Sequence, residues 1–130
     1  MIDVIDNKYF YLHNGAVAYL FGLLPNQQLG HLYYGEDLGE LSADDLAYLT
    51  LHKNKASGTV KYSKKIKNFT LADHMQEYPT YGTSDFRESA ISLEANDTYL
   101  YPDFKYDHFK ITTGKSRKIT VPASYGNDSE

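Results

Sequence analysis

An acid and a guanidinium stand two residues apart in QEYPTYGTSDFRESAI, residues 76–91: Asp85 and Arg87, at the lip of an apolar stretch. In an extended strand, positions i and i+2 point to the same side. Two uses fit such a pair. One is structural: an ion pair, with Arg87 reaching turn carbonyls while Asp85 caps the turn. The other is binding, since a carboxylate and a guanidinium both grip vicinal hydroxyls through charge-assisted hydrogen bonds. Charged pairs near turns are common and contribute little individually. The structural use is therefore the commoner one, and the residues alone leave both open.

Little else in the chain has the spacing of a reaction centre. The five histidines, His13, His31, His52, His74 and His108, show neither the i, i+4 nor the H-x-H spacing of a local metal site. Each reads as a packed or hydrogen-bonded imidazole, and no metal site is expected. There is no G-x-S-x-G elbow and no phosphate-cradling glycine loop. Seventeen acids give many accidental carboxylate pairs, so their number identifies no glycosidase pair. No residue is assigned a catalytic role. The absence of cysteine excludes a thiol nucleophile, a disulfide and a thiolate metal site.

Charge narrows the partners. The net charge is −4 with both signs interspersed, so nucleic acid is not expected. The basic run KYSKKIK, 61–67, is short and reads as a solvated edge. The opening MIDVIDNKYFYLHNG has acids where a signal peptide carries a basic region. No apolar run reaches the length needed to cross a bilayer. The expectation is a soluble cytoplasmic protein with no membrane partner. Thirteen tyrosines without a tryptophan suit half-buried strands, and flat exposed rings also suit the C–H face of a sugar.

These side chains need elements to position them. KYFYLH, 8–13, reads as a strand, and Asn14-Gly15 as a hairpin turn with both central residues at φ > 0. AVAYLFGLL, 16–24, is a continuous apolar run that should be buried on both faces or cross the core. LGHLYYG, 29–35, completes a three-stranded antiparallel meander. Ser42 and Asp45 have capping-box spacing, which allows a short helix over 41–51 or one helical turn in a loop. A long excursion, possibly a projecting hairpin, is expected over 52–68. Thr70 and Asp73 share the capping spacing, and Leu71, Met75 and Tyr78 recur at i, i+4, i+7, predicting a short helix over 71–77 that ends at Pro79. FRESAISLEA reads as a strand and Asn96-Asp97 as a turn. TYLYPDFKYDHFKITTG carries one or two further strands, with Phe104, Tyr106 and His108 on one face and Lys105, Asp107 and Phe109 on the other. Thr113-Gly114-Lys115 turns the chain, and KITVPA starts another strand. The fold class is mostly β, an antiparallel β-sandwich with one or two short helices, in a single domain over 1–130.

The same stretch carries a family resemblance. QEYPTYGTSDFRESAI resembles the Q-E-Y-P-x-Y-G-x-x-D-F-R-x-P-A motif in the N-terminal domain of family 36 glycoside hydrolases, the microbial α-galactosidases. KYFYLHNGAVAYLF, QLGHLYYG and PASYGNDSE resemble further segments of that domain, in order. The resemblance implies part of a larger β-supersandwich, followed in the family by a (β/α)₈ barrel with both catalytic aspartates, which would lie outside this chain. It implies a retaining enzyme that needs no cofactor and acts on α-1,6-galactosides such as melibiose and raffinose. It also implies assembly as a homo-oligomer, a tetramer in many members.

In that frame Tyr78, Pro79, Tyr81, Gly82, Asp85, Phe86 and Arg87 form a structural or interface motif. Lys67 is the basic residue best aligned with a loop that reaches a neighbouring subunit's sugar in some members. Ser89 stands where the family usually has proline, and Tyr34 where it often has tryptophan. The implied function is a non-catalytic N-terminal portion serving assembly and active-site completion. The alternatives are a stand-alone carbohydrate-binding β module or an inactive truncated product.

Overall fold

The computed structural model describes residues 1–50 and 60–114. Four strands, β1 (Ile2–Ile5), β2 (Tyr9–His13), β3 (Val17–Leu23) and β4 (Leu29–Glu36), form an antiparallel meander in chain order. A helix α1 (Ala43–Leu49) and a 3-10 turn (Leu71–Asp73) follow. Strands β5 (Leu93–Ala95) and β6 (Thr98–Leu100) pair as a second, two-stranded sheet. The class is mostly antiparallel β with one helix, as expected. The basic excursion up to residue 59, the KITVPA strand and the PASYGNDSE segment lie outside the described residues.

Strand β1 lies where the sequence reading placed none. Its connection to β2 is a turn with Asp6 and Asn7 at φ 54° and 49°, closed by Lys8 N–H donating to the Ile5 carbonyl at 3.1 Å. Two short polar residues that tolerate the left-handed region stand at the positions a tight hairpin needs.

The Asn14-Gly15 hairpin is present but shifted by one residue. Only Gly15 has positive φ, at 83°. Asn14 N–H donates to the Val17 carbonyl at 3.2 Å, so Gly15-Ala16 are the central pair. Asn14 precedes them, and its Oδ1 accepts from the Ala16 and Val17 amides at 3.0 and 2.8 Å. The asparagine stabilises the turn from outside by its side chain, and glycine takes the first central position.

The apolar run of β3 is not equally buried on its two faces. Ala18 and Leu20 are fully buried, while Tyr19, Phe21 and Leu23 alternate with them at intermediate exposure and Val17 is exposed. Tyr9, Tyr11, Ala18 and Leu20 form one core with Leu46 of α1, and Ile5, Leu32, Tyr33 and Leu41 pack around it. The register shifts between Leu20 and Phe21, leaving Leu32 as an extra residue in β4.

Ser42 caps α1 through a full capping box with Asp45. The helix inserts Leu46, whereas Tyr48 and Leu49 remain exposed. The opposite face of the sheet is covered by the segment 103–109, which is not a strand. Its expected two-residue alternation fails: Tyr106 and Phe109 both meet Phe10, at ring distances of 6.1 and 5.2 Å. Tyr106 N–H donates to the Gln27 carbonyl at 2.7 Å. Without a continuous ladder nothing holds this segment to period 2.

Candidate functional site

The helix expected over 71–77 contracts to the single 3-10 turn Leu71–Asp73. Residues 75–77 turn away to the edge of β4, where His31 N–H donates to the Met75 carbonyl at 2.9 Å and Glu77 N–H to the Leu29 carbonyl at 3.0 Å. Thr70 makes no side-chain cap. Leu71 N–H donates instead to Ser84 Oγ at 3.1 Å, so the cap comes from 13 residues downstream. The Glu77 carboxylate accepts from the Tyr19 hydroxyl and lies 3.1 Å from His31 Nδ1. Burial, then that hydrogen bond, pushes the Tyr19 phenol up to about 12.

Residues 82–85 form a tight hairpin. Gly82 N–H donates to the Asp85 carbonyl at 2.6 Å and Asp85 N–H to the Gly82 carbonyl at 3.0 Å. Thr83 and Ser84 are the central pair, at φ 49° and 76°. Gly82 itself has φ 101°, which explains glycine at that position.

This turn delivers Asp85 into the interior, where it is 1% exposed. Arg87 folds back over it. Nε reaches Oδ1 and Nη2 reaches Oδ2, both at 2.9 Å, the two-pronged geometry that suits a guanidinium on a carboxylate. Arg87 N–H also donates to Oδ1 at 3.2 Å, and the Gln76 amide donates to Oδ2. Nη2 further donates to the carbonyls of Leu71 and His74 at 3.1 and 2.7 Å. Chiefly through the Arg87 hydrogen bond, Asp85 stays ionised below the usual carboxylate range despite its burial. The same contact raises the Arg87 guanidinium.

The expected strand over 86–95 is therefore confined to β5. Among the described residues, the backbone tie of 86–92 is Ala90 N–H to the Pro79 carbonyl at 2.9 Å. Asp85 and Arg87 meet because Arg87 folds back, not because they share a strand face.

The rest of the motif points outward. Thr80, Ser84 and Asp85 are buried, while Tyr78, Tyr81 and Phe86 are 59%, 46% and 60% exposed. Tyr81 lies against Phe86 and Tyr101, with ring centres 5.8 and 5.9 Å away, and Tyr78 against Phe104 at 6.2 Å. The usual burial preference is inverted, with charge inside and aromatic rings outside.

Lys67 is exposed in the loop before Phe69. Among the described residues no hydrogen bond or ion pair joins it to the motif. No group of three or more histidine, aspartate or glutamate side chains among the described residues could hold a metal ion. No helix of the described residues is long and apolar enough to cross a membrane. Sequence reasoning missed Gln76, Ser84 and Glu77 as anchors. No local signal pointed to these contacts, whose partners lie 9 to 58 residues away.

The family model of the glycosyl hydrolase family 36 N-terminal domain matches residues 27–130. The chain is 28% identical over 120 residues to α-galactosidase AgaA of Geobacillus stearothermophilus, covering 92% of this chain and 16% of that protein. It is 27% identical over 126 residues to the bifunctional α-galactosidase/sucrose kinase AgaSK of Mediterraneibacter gnavus, covering 96% of this chain and 13% of that protein. Among solved structures, the α-galactosidase of Lactobacillus brevis superposes with a TM-score of 0.77 at 26% identity, over 93% of this chain and 16% of that one. An AgaA variant of G. stearothermophilus in complex with raffinose superposes with a TM-score of 0.75 at 26% identity, over 92% of this chain and 16% of that one. This chain thus spans 13–16% of the length of these relatives. With its matched region running from Gln27 through the buried Asp85–Arg87 pair, the chain belongs to the glycosyl hydrolase family 36 N-terminal domain family.

Proposed function

We propose that this chain is the non-catalytic N-terminal β portion of an α-galactosidase that hydrolyses terminal α-1,6-galactosides such as melibiose and raffinose. Its work is assembly and completion of an active site carried elsewhere in the enzyme. The observation that carries this reading is the inverted burial of residues 76–91. Asp85 is sealed beneath Arg87 and Gln76, where a sugar hydroxyl would have to displace bonds already made. The exposed Tyr78, Tyr81 and Phe86 rings are what a docking surface needs. The partners are then the remainder of the galactosidase chain and further copies of it in a homo-oligomer. Lys67, exposed on the basic loop, is the residue proposed to approach a neighbouring copy's sugar.

Arg87→Ala in the assembled enzyme tests the reading. Oligomer size and melting temperature should fall while the Michaelis constant for melibiose changes little. Unchanged size and melting with a large rise in the Michaelis constant would overturn it. The source cells give a second check. An antibody against residues 52–68 should detect a polypeptide several times the mass of this chain, whereas a band at the chain's own mass would favour a stand-alone sugar-binding module or an inactive product.

A further inference from the structure

A second polar cluster lies where β1, β2 and the loop after β4 converge. The His13 ring stands between two carboxylates. Nε2 is 2.9 Å from Asp3 Oδ2 and Nδ1 is 3.0 Å from Asp37 Oδ2. Both partners are acceptors, so both bonds exist together only when both ring nitrogens carry protons. The imidazole stacks on Tyr11 at 4.5 Å. The charged and titratable groups around it are Asp3 on β1, Tyr11 on β2, Asp37 and Glu40 after β4, and the Met1 ammonium, which donates to the His13 carbonyl.

The two carboxylates differ in what else holds them. Asp37 accepts from the Tyr11 hydroxyl at 2.6 Å, Gly15 N–H at 2.7 Å and Gly39 N–H at 2.9 Å. Its side chain is 11% exposed, against 47% for Asp3. When the ring keeps one proton, Nδ1–H stays on Asp37, the less exposed carboxylate and the one that the Tyr11 hydroxyl and two backbone amides fix in place. The Nε2 lone pair then faces Asp3, and the two acceptors repel. Asp3 turns to solvent at little cost. Asp3 belongs to β1, an edge strand held by its ladder to β2, by Ile5 against the core and by that bond.

We infer that His13 is a pH-sensitive latch for the N-terminal strand, closed when both ring nitrogens are protonated and opened at Asp3 when one proton leaves. Hydrogen bonds to Asp37 and then to Asp3 hold His13 above its ordinary value. The closed state is complete below about pH 6.5 and is lost as the pH rises through the raised value. Opening loosens β1 and uncovers the edge of β2, which then becomes available to another strand. A strap over a sheet edge that answers to alkalinity is thus built into the first 40 residues.

Hydrogen–deuterium exchange of the full chain tests this, with labelling times scaled to the intrinsic rate at each pH. Met1 and His13 exchange both backbone bonds. The antiparallel alternation then places the Asp3 and Ile5 amides in bonded pairs with Tyr11 and Tyr9. Protection of these two amides should fall about tenfold between about pH 6 and about pH 9, the effect of one charge-assisted bond, with β3 unchanged. In Asp3→Asn, and in His13→Gln if it folds, β1 protection should lose that pH dependence. Flat protection in the native chain overturns the latch. So does a slope that persists in Asp3→Asn, because the bond between Asp3 and His13 would then not be its source.

Discussion

The Arg87 guanidinium covers the buried Asp85 carboxylate with two hydrogen bonds of 2.9 Å and spends its remaining reach on the Leu71 and His74 carbonyls. One side chain therefore joins the 82–85 hairpin to the 3-10 turn. Removing it leaves a carboxylate that is 1% exposed without its counter-charge.

Arg87→Ala should cost about 2–3 kcal/mol in urea unfolding of the chain. Breaking a fully buried pair costs about 3–5 kcal/mol, and the half-exposed arginine reduces that through solvent screening. Arg87→Lys should recover less than half of the loss, since an ammonium cannot reproduce the two-pronged contact and the two carbonyl bonds together. Full recovery by lysine would show that charge alone matters here.

Acid should unfold the chain through two carboxylates. The Tyr11 hydroxyl first, then Gly39 N–H and His13, hold Asp37 well below the ordinary range, and the Arg87 hydrogen bond holds Asp85 below it. Stability from both is complete above about pH 4 and is lost as the pH falls through the lowered values. Urea midpoints measured downward from neutral pH should drop below about pH 4. Asp37→Asn should start lower at neutral pH and fall less steeply. An unaltered slope in that variant would remove Asp37 from the account.

Thr83 pays a conformational cost that a different residue would not. It is β-branched and held at φ 49° in the first central position of its hairpin, where asparagine and glycine are favoured. Thr83→Asn should raise stability by about 1 kcal/mol, seen as a higher melting temperature. Its neighbour behaves oppositely. Ser84→Gly suits φ 76° but removes the acceptor for Leu71 N–H, so it should lower the melting temperature.

The exposed rings should be separable from stability. Tyr81→Ser with Phe86→Ser removes side chains that are 46% and 60% exposed. Surface changes of this kind usually shift stability by no more than about 0.5 kcal/mol each. If the patch docks against the rest of a galactosidase, the double variant should keep its unfolding midpoint and lose association in sedimentation or pull-down with the remaining chain. Unchanged association would move the interface elsewhere.

Local signals in the sequence determined the local structure. Aromatic and apolar runs bounded by turn residues located β2, β3 and β4, Asn96-Asp97 marked the β5–β6 turn at φ 50° and 56°, and Ser42 with Asp45 provided the cap that α1 uses. Tertiary structure decided how the residues are used. Thr70 and Asp73 have the spacing of a helix cap. Yet residues 75–77 gain backbone partners on β4 that a longer helix would forgo, and Leu71 takes its cap from Ser84. Asp3, His13 and Asp37 are ordinary surface types in a linear reading, and they become a cluster only when three antiparallel segments align. Asp85 and Arg87 were legible as a pair from their spacing. That the acid is buried and the aromatics beside it are exposed was not, because burial depends on which segments cover a residue, and the covering segments here are distant in sequence.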